Sequence, residues 1–407
     1  MVDSRKSVSN MRVSVDDIIV FFALIVTVIT GSAIAHGDST LFLTIERQLA
    51  AYTRIISVGV LIFLTIVYKR YVFSKTLLIP TIFCLFWGFD SCNLSVEHFI
   101  EVGTAFVRLV ALFWLHPSIL ARLFRAYRKV LIALSIIGII CYLWYMIGFP
   151  GFYSITDYYT GAGTGAYYIN FKVCYLFSEG STLRLCSIFN EPGYFGTVLA
   201  LVLCAEKFNF KKKGNIVLFV AGLFSLSVAF IFICAIYHVL KVYQKPKLFI
   251  PLIILVLIYL VVVPIIAQGS GVLATLAARI MLTENGISAT NRSNIILDMA
   301  VLNTLSSSAI LFGNGYGYVS TLDIKGGFLT YKTYILMYGL GGFFMIFIWP
   351  LKILITRYKH CIEAAFLILC VFISVYQRPD IYNYTYMTIL LGGAQNIFYE
   401  KSLKEIR

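Results

Sequence analysis

Residues 211–241 read KKKGNIVLFVAGLFSLSVAFIFICAIYHVLK, an apolar run with lysine at both ends. At ~1.5 Å per residue, the stretch from Asn215 to Leu240 is too short for two full crossings of a ~30 Å hydrocarbon layer. A single crossing would carry Lys241, Lys245 and Lys247 to the far side from Lys211, Lys212 and Lys213. Basic residues flanking apolar segments stay on the cytoplasmic side, so one crossing conflicts with them. A hairpin satisfies both constraints: two short helices meeting near Gly222–Ser227 and inserted from the cytoplasm.

The rest of the chain reads the same way. Of 407 residues, 60% are apolar and 13% charged, with a mean hydropathy of +0.87. Soluble domains run at about 45–50% apolar and about 25% charged. The apolar runs are continuous rather than alternating, which excludes a β-barrel. Further basic groups, Arg5/Lys6/Arg12, Lys69/Arg70/Lys75, Arg122/Arg125/Arg128/Lys129, Lys352/Arg357/Lys359 and Lys401/Lys404/Arg407, flank apolar segments. The net charge of +14 is an orientation signal, and no basic soluble domain suggests a nucleic-acid partner.

Spans are expected at about 18–35, 53–68, 76–90, 98–115, 130–148, 193–207, 248–267, 328–350, 361–376 and 382–398. Asp16 and Asp17 open a full-length span rather than a cleavable signal. The expectation is an all-α, polytopic membrane protein: one integral membrane domain over residues 1–407 with about twelve membrane helices. Both termini are then expected in the cytoplasm.

Two long segments, 150–192 and 268–327, fall outside the cytoplasm. Connections beyond ~12–15 residues are functional or disordered, and these carry helical patterns. Val272, Leu273, Leu276, Ala277 and Ile280 form an apolar stripe that leaves Arg279 on the polar face. Thr290 and Asn291 suit an N-cap for a helix with Ile295, Ile296, Met299 and Leu302 on one side. Arg292 then falls in its first turn, where an anionic partner would offset the unfavourable dipole.

Polar residues concentrate at Arg184-Leu-Cys-Ser-Ile-Phe-Asn-Glu191-Pro192-Gly-Tyr194-Phe-Gly196. Pro192 suits a first helical turn and Tyr194–Leu203 the helix after it, with Arg184 about two turns upstream. Glu191 and Arg184 read either as an N-cap carboxylate with a snorkelling arginine, or as a functional pair. Deep in the fourth span, Arg108 shares a face with Glu97 and Glu101, and reads as a Glu101 partner or as a ligand contact.

Six tyrosines of the first long loop (Tyr153, Tyr158, Tyr159, Tyr167, Tyr168, Tyr175) suit either sugar stacking or a membrane interface. The glycines of Phe312-Gly-Asn-Gly-Tyr-Gly-Tyr318 suggest positive φ and close backbone approach, not a P-loop. Nine cysteines read mostly as small core residues. Cys92, Cys174 and Cys186 face outward, with a Cys174–Cys186 disulfide and separate thiols both open. No metal-ligand spacing occurs.

In this order, the motifs resemble the Wzy-type O-antigen and exopolysaccharide polymerases, of the superfamily that includes the O-antigen ligases. The resemblance rests on Arg-x-x-x-x-Phe-x-Glu-Pro at Arg184–Pro192, on Lys211–Lys213 before the short hairpin, and on Arg292 in the second loop. Leu311-Phe-Gly-Asn-Gly-Tyr-Gly317 and Tyr338-Gly-Leu-Gly-Gly342 complete it, so that it covers Leu183 to Gly393. It implies a GT-C-like fold and an inverting glycosyl transfer with no cofactor and no metal. The donor is a glycan on undecaprenyl pyrophosphate, the acceptor another lipid-linked repeat unit, with membrane lipid and a chain-length regulator protein as further partners. The resemblance also implies a bacterial inner membrane, with the site facing the periplasm.

Arg184, Glu191 and Arg292 are the catalytic candidates. Arg279, Arg108, Tyr194, Tyr316, Tyr331 and Lys332 are the substrate-binding ones. The resemblance departs from the ligase branch: where that branch has a histidine, this chain reads Phe328-Leu-Thr330-Tyr331-Lys332. The five histidines, His36, His98, His116, His238 and His360, all lie outside both long loops. Glu191, then Asp298, are the remaining base candidates. A ligase and a lipid-linked oligosaccharide flippase are the alternatives, although a flippase would spread its polar residues over many spans.

Overall fold

The computed structural model describes residues 14–33, 44–72, 78, 81–82, 104–157, 166–179, 182–244, 250, 261–269, 274, 277–278, 281–283, 286–287, 295–315, 318–322, 331–357, 361–375 and 383–405. Over these residues the chain is mostly helical, with a small sheet. Ile45–Val67 and Pro117–Met146 are long and apolar enough to cross a membrane, which is compatible with a membrane protein. Ile136, Ile140 and Leu143 stand exposed along the second of these helices, as a lipid-facing surface requires.

Helix α1 (Val15–Gly31) starts at a capping box. Ser14 Oγ accepts from the Asp17 N–H at 3.2 Å, and Asp17 Oδ2 accepts from the Ser14 N–H at 3.3 Å. Helix α2 spans Thr44–Val67 and α3 Thr104–Phe113. Helix α4 (Pro117–Met146) begins where Pro117 takes the first turn and His116 Nδ1 accepts from the Ser118 N–H at 3.3 Å. It therefore starts well before the expected 130. Arg122, Arg125 and Arg128 ride its first turns instead of forming a loop.

Helix α5 (Pro192–Ala205) is buried on every side from Tyr194 to Ala205, as suits a helix apolar all round. It is wrapped by α6 (Lys213–Phe224), α7 (Val228–Gln244) and α10 (Ile362–Val375). The expected hairpin is α6 and α7. Lys241 Nζ donates to Lys207 O at 3.2 Å, while Lys212 precedes α6, so both lysine groups lie at one end of α5. At the opposite end Ser227 Oγ donates to Gly193 O at 3.4 Å. Gly196 admits this turn: a Cβ there would stand 2.4 Å from Ser227 Cβ. Leu226 turns the corner at φ +47°, a left-handed conformation costing about 1–2 kcal/mol.

The first long loop corrects the all-helical expectation. Four strands there form an antiparallel sheet in the order β1 (Ser154–Asp157), β2 (Tyr167–Asn170), β3 (Tyr175–Glu179), β4 (Thr182–Ser187). Its register pairs Ile155 with Ile169, Tyr168 with Phe177 and Phe177 with Arg184. Aromatic and β-branched residues fit a pleated, half-buried surface better than a helix. Arg184 is thus on a strand, not two helical turns before α5.

In the second long loop, β5 (Leu282–Thr283) pairs with β6 (Gly286–Ile287), and α8 spans Ile295–Leu305. The expected apolar stripe of α8 points outward: Ile296, Met299 and Leu302 are exposed, while Leu297 and Ala300 pack on Leu336. The expected single span over 328–350 is also corrected. Helix α9 (Tyr331–Arg357) breaks at Gly339, at φ +64° and ψ −173°. The rings of Tyr331 and Phe343 lie 6.5 Å apart, where a straight helix would separate the residues by about 18 Å.

The glycine-rich turn fills that break. Leu336 O and Met337 O accept from the N–H groups of Asn314 (2.8 Å) and Gly315 (3.2 Å), and Leu311 O accepts from the Gly341 N–H (3.0 Å). A Cβ on Gly313 would stand 2.4 Å from Met337 O, and one on Gly339 2.5 Å from the Leu311 carbonyl carbon. The expectation of positive φ and close approach holds, with Gly313 at +80° and Gly315 at +87°. The chain ends in α11 (Tyr384–Met387), a π-turn over Thr388–Gly392, and α12 (Gly393–Glu405).

Candidate functional site

Ion pairs gather at the lysine-rich end. Asp16 meets Arg70 at 2.8 Å, and Glu206 meets Lys212 at 2.8 Å and Arg128 at 3.4 Å. Glu400 of α12 meets Lys212 at 3.0 Å, and Arg125 donates to Asn396 Oδ1 at 3.1 Å. About 22–24 Å along the helices from these pairs lies the sheet end, by the ~1.5 Å rise from Glu206 back to Glu191 and from Glu400 back to Tyr384. The candidate site is there.

Arg184 projects from β4 to the hairpin turn. Its Nε donates to Ser225 O at 3.2 Å and its Nη2 to Leu226 O at 3.5 Å. Carbonyl dipoles orient a guanidinium without cancelling its charge, which a carboxylate would do. Glu191 occupies the N-cap position of α5, with its backbone oxygen accepting from the Phe195 N–H at 3.1 Å. Its side chain makes no capping hydrogen bond, so the N-cap carboxylate reading fails on geometry.

Arg184 and Glu191 share one neighbour, the buried thiol of Cys186. Burial pushes this thiol up; the Arg184 charge pulls it down and the Glu191 charge pushes it up. The cation and the carboxylate are thus both within electrostatic reach of Cys186. Tyr168 fixes the approach, its hydroxyl donating to Asn190 O from β2. Cys174 and Cys186 are separate thiols, so the disulfide reading is not realised; Cys174 also neighbours the Cys141 thiol of α4.

Other candidates are placed as follows. Tyr194 is only 4% exposed. Its ring packs on Phe189 and Tyr386 at 5.2 and 5.5 Å, so it underlies the site as core. Lys332 forms an ion pair with Asp298 that joins α9 to α8; it commits both a binding candidate and the second base candidate to packing. Tyr331 is half-buried against Phe343. Arg108 is buried at the sheet end, its Nη1 donating to Thr30 Oγ1 at 3.3 Å. Arg292, Arg279, Tyr316 and Glu101 lie outside the described residues.

The sequence reading passed over two features. Arg54 of α2 lies within electrostatic reach of Arg108; an arginine just inside an apolar run was the available signal. The hairpin turn that aims Arg184 had no signal beyond its Ser225-Leu226-Ser227 sequence, because a carbonyl acceptor has no residue type.

What the described residues define is a mostly helical, apolar assembly, compatible with a membrane protein, with a small sheet. No family model, curated protein or solved structure matches the chain.

Proposed function

We propose that the protein is a glycan polymerase that joins undecaprenyl-pyrophosphate-linked repeat units of an O-antigen or related surface polysaccharide. The sheet end would face the periplasm of an inner-membrane protein. An acceptor hydroxyl attacks the anomeric carbon of the donor glycan. The bond from that carbon to the diphosphate oxygen breaks with inversion, the hydroxyl proton passes to a base, and undecaprenyl pyrophosphate leaves.

The observation that carries the reading is Arg184, aimed by two backbone carbonyls and sharing the Cys186 environment with Glu191. A leaving diphosphate gathers negative charge, and a preorganised guanidinium stabilises it with no reorganisation at the moment of reaction. Glu191 serves in orienting this cluster; a carboxylate beside a guanidinium at a helix start is a weak base. Arg292 is assigned to the same diphosphate through the resemblance alone.

Purified protein given only lipid-linked repeat units should yield a ladder of polymer. Arg184→Ala should slow it by about 10²–10³-fold, and Arg184→Lys should restore only part, lacking the planar fork. Ladders of wild-type rate from Arg184→Ala would overturn the assignment.

A further inference from the structure

Along α4, Ile136, Ile140 and Leu143 form an exposed apolar stripe, and Ile147 at the helix cap continues it at 69% exposure. The stripe does not stop where the helix ends. In the turn that follows, Phe149 is 48% and Phe152 84% exposed. Their rings lie 4.9 and 6.1 Å from that of Trp144, in the last turn of α4. Phe152 is held outward at φ +64°, after Gly151 at +84°, a conformation that a bulky residue rarely adopts. From Val130 to Thr156 the chain carries no charged residue.

Length decides the level at which this turn lies. Lys129 is the last basic residue before the uncharged run. From Val130 to Met146 the helix rises by about 24 Å at ~1.5 Å per residue, short of a ~30 Å hydrocarbon layer. The far boundary of that layer therefore falls at the turn, beyond the helix end. Irregular backbone facing lipid is not sustained inside the hydrocarbon, whereas headgroups and water at the boundary satisfy its N–H and C=O groups. Tryptophan is enriched at the same level. A glycan would also stack on these rings, but it needs polar groups beside them to fix its hydroxyls. Met146 and Ile147, exposed next to the rings, offer only apolar surface.

We propose that Trp144, Ile147, Phe149 and Phe152 form a wedge seated in the headgroup–acyl boundary of the bilayer at the sheet end. It rests on α4 crossing the membrane, whatever reaction the protein performs. The wedge has a consequence for the candidate site, because Ser154 opens β1 directly after it. One row of the sheet runs from there: Ser154 pairs with Asn170, Asn170 with Tyr175, and Tyr175 with Ser187. At ~4.8 Å per strand, about 14 Å separates β1 from β4. The wedge thus sets the level of β4, the strand of Arg184, against the lipid headgroups.

A nitroxide carried on acetylphenylalanine, which leaves the native thiols untouched, reports depth in vesicles of phosphatidylethanolamine and phosphatidylglycerol. Oxygen concentrates in the acyl layer and a nickel chelate in water. The oxygen-to-nickel relaxation ratio should exceed unity at Ile140 and, by a smaller margin, at Phe152, and fall below unity at Lys211. Replacing Ile147 and Phe149 by Ser should bring the Phe152 ratio below unity. A Phe152 label dominated by nickel, with Ile140 dominated by oxygen, would overturn the wedge while leaving the crossing intact. A Phe152 label reached by neither reagent would overturn it in favour of a protein cover, such as a second copy of the chain. Nickel access that a soluble oligosaccharide suppresses would assign the rings to glycan instead. An Ile140 label that oxygen does not favour would remove the crossing and the wedge together.

Discussion

At its lysine-rich end carboxylates hold the basic residues together; at its sheet end carbonyl and hydroxyl oxygens hold arginines. Glu206, 4% exposed, sits between Lys212 and Arg128, and Lys212 passes on to Glu400. Asn215 Oδ1 takes two further bonds from Arg128, at 3.1 and 2.8 Å. These contacts tie α4, α5, α6 and α12 together. Arg184, in contrast, rests on the carbonyls of Ser225 and Leu226, and Arg108 on the hydroxyl of Thr30. An ion pair cancels charge and joins helices; a carbonyl or hydroxyl fixes the direction of a guanidinium. The same residue type meets carboxylates at one end and carbonyl or hydroxyl oxygens at the other.

The largest expected effect breaks the comparison at its structural end. Glu206→Gln leaves Arg128 and Lys212 without their shared carboxylate, and removing one partner of a buried pair costs about 3–5 kcal/mol. Thermal unfolding in detergent should show that loss. Arg184→Ala should cost less, about 1.5–3 kcal/mol for hydrogen bonds made by a charged group, while slowing the proposed polymer synthesis about 10²–10³-fold. A large stability loss at Arg184 with a small one at Glu206 would reverse the assignment of the two ends.

A middle-sized effect comes from joints made by main chain alone. Gly339 holds a φ/ψ pair open to glycine only, against the Leu311–Gly313 backbone. Gly339→Ala should cost about 2–3 kcal/mol through strain and displaced backbone. Gly315 also has positive φ, but a Cβ there meets nothing within 4 Å. Gly315→Ala should therefore cost only about 1–2 kcal/mol. Equal losses would show that conformation, not close approach, governs this joint.

These joints mark where the sequence was legible. The hairpin follows from length and flanking lysines, because crossing distance and charge retention are properties of the chain alone. The start of α5 at Pro192 follows from the ring's fixed φ. The sheet was less visible: Tyr167–Asn170 and Tyr175–Glu179 carry strand-forming residues in runs too short to set a clear period. The break at Gly339 depends on a partner 25 residues upstream in the chain, Asn314, whose N–H takes the carbonyl freed at Leu336. No local pattern encodes such a pairing. Arg184 and Arg108 were legible as costly charges; what aims them is backbone and hydroxyl, which residue type does not announce.

The smallest expected effect on stability is at Glu191, and it separates three roles. An N-cap side chain in use is worth about 1 kcal/mol or more on replacement. Glu191 stands at that position without the bond, so Glu191→Gln should leave the unfolding transition within about 0.5 kcal/mol of wild type. Polymerisation should still fall, by roughly tenfold or about 1.4 kcal/mol, if the carboxylate helps hold the Arg184 cluster in register. A general base would behave differently. Its loss would abolish turnover and erase the acid limb of the pH profile, because that limb reports the carboxylate's own protonation. Under the orienting role the limb is absent from wild type and variant alike near the carboxylate range, and Glu191→Asp retains part of the rate. A stability loss of a full cap with unimpaired polymer would return Glu191 to capping, and remove its proposed part in orienting Arg184.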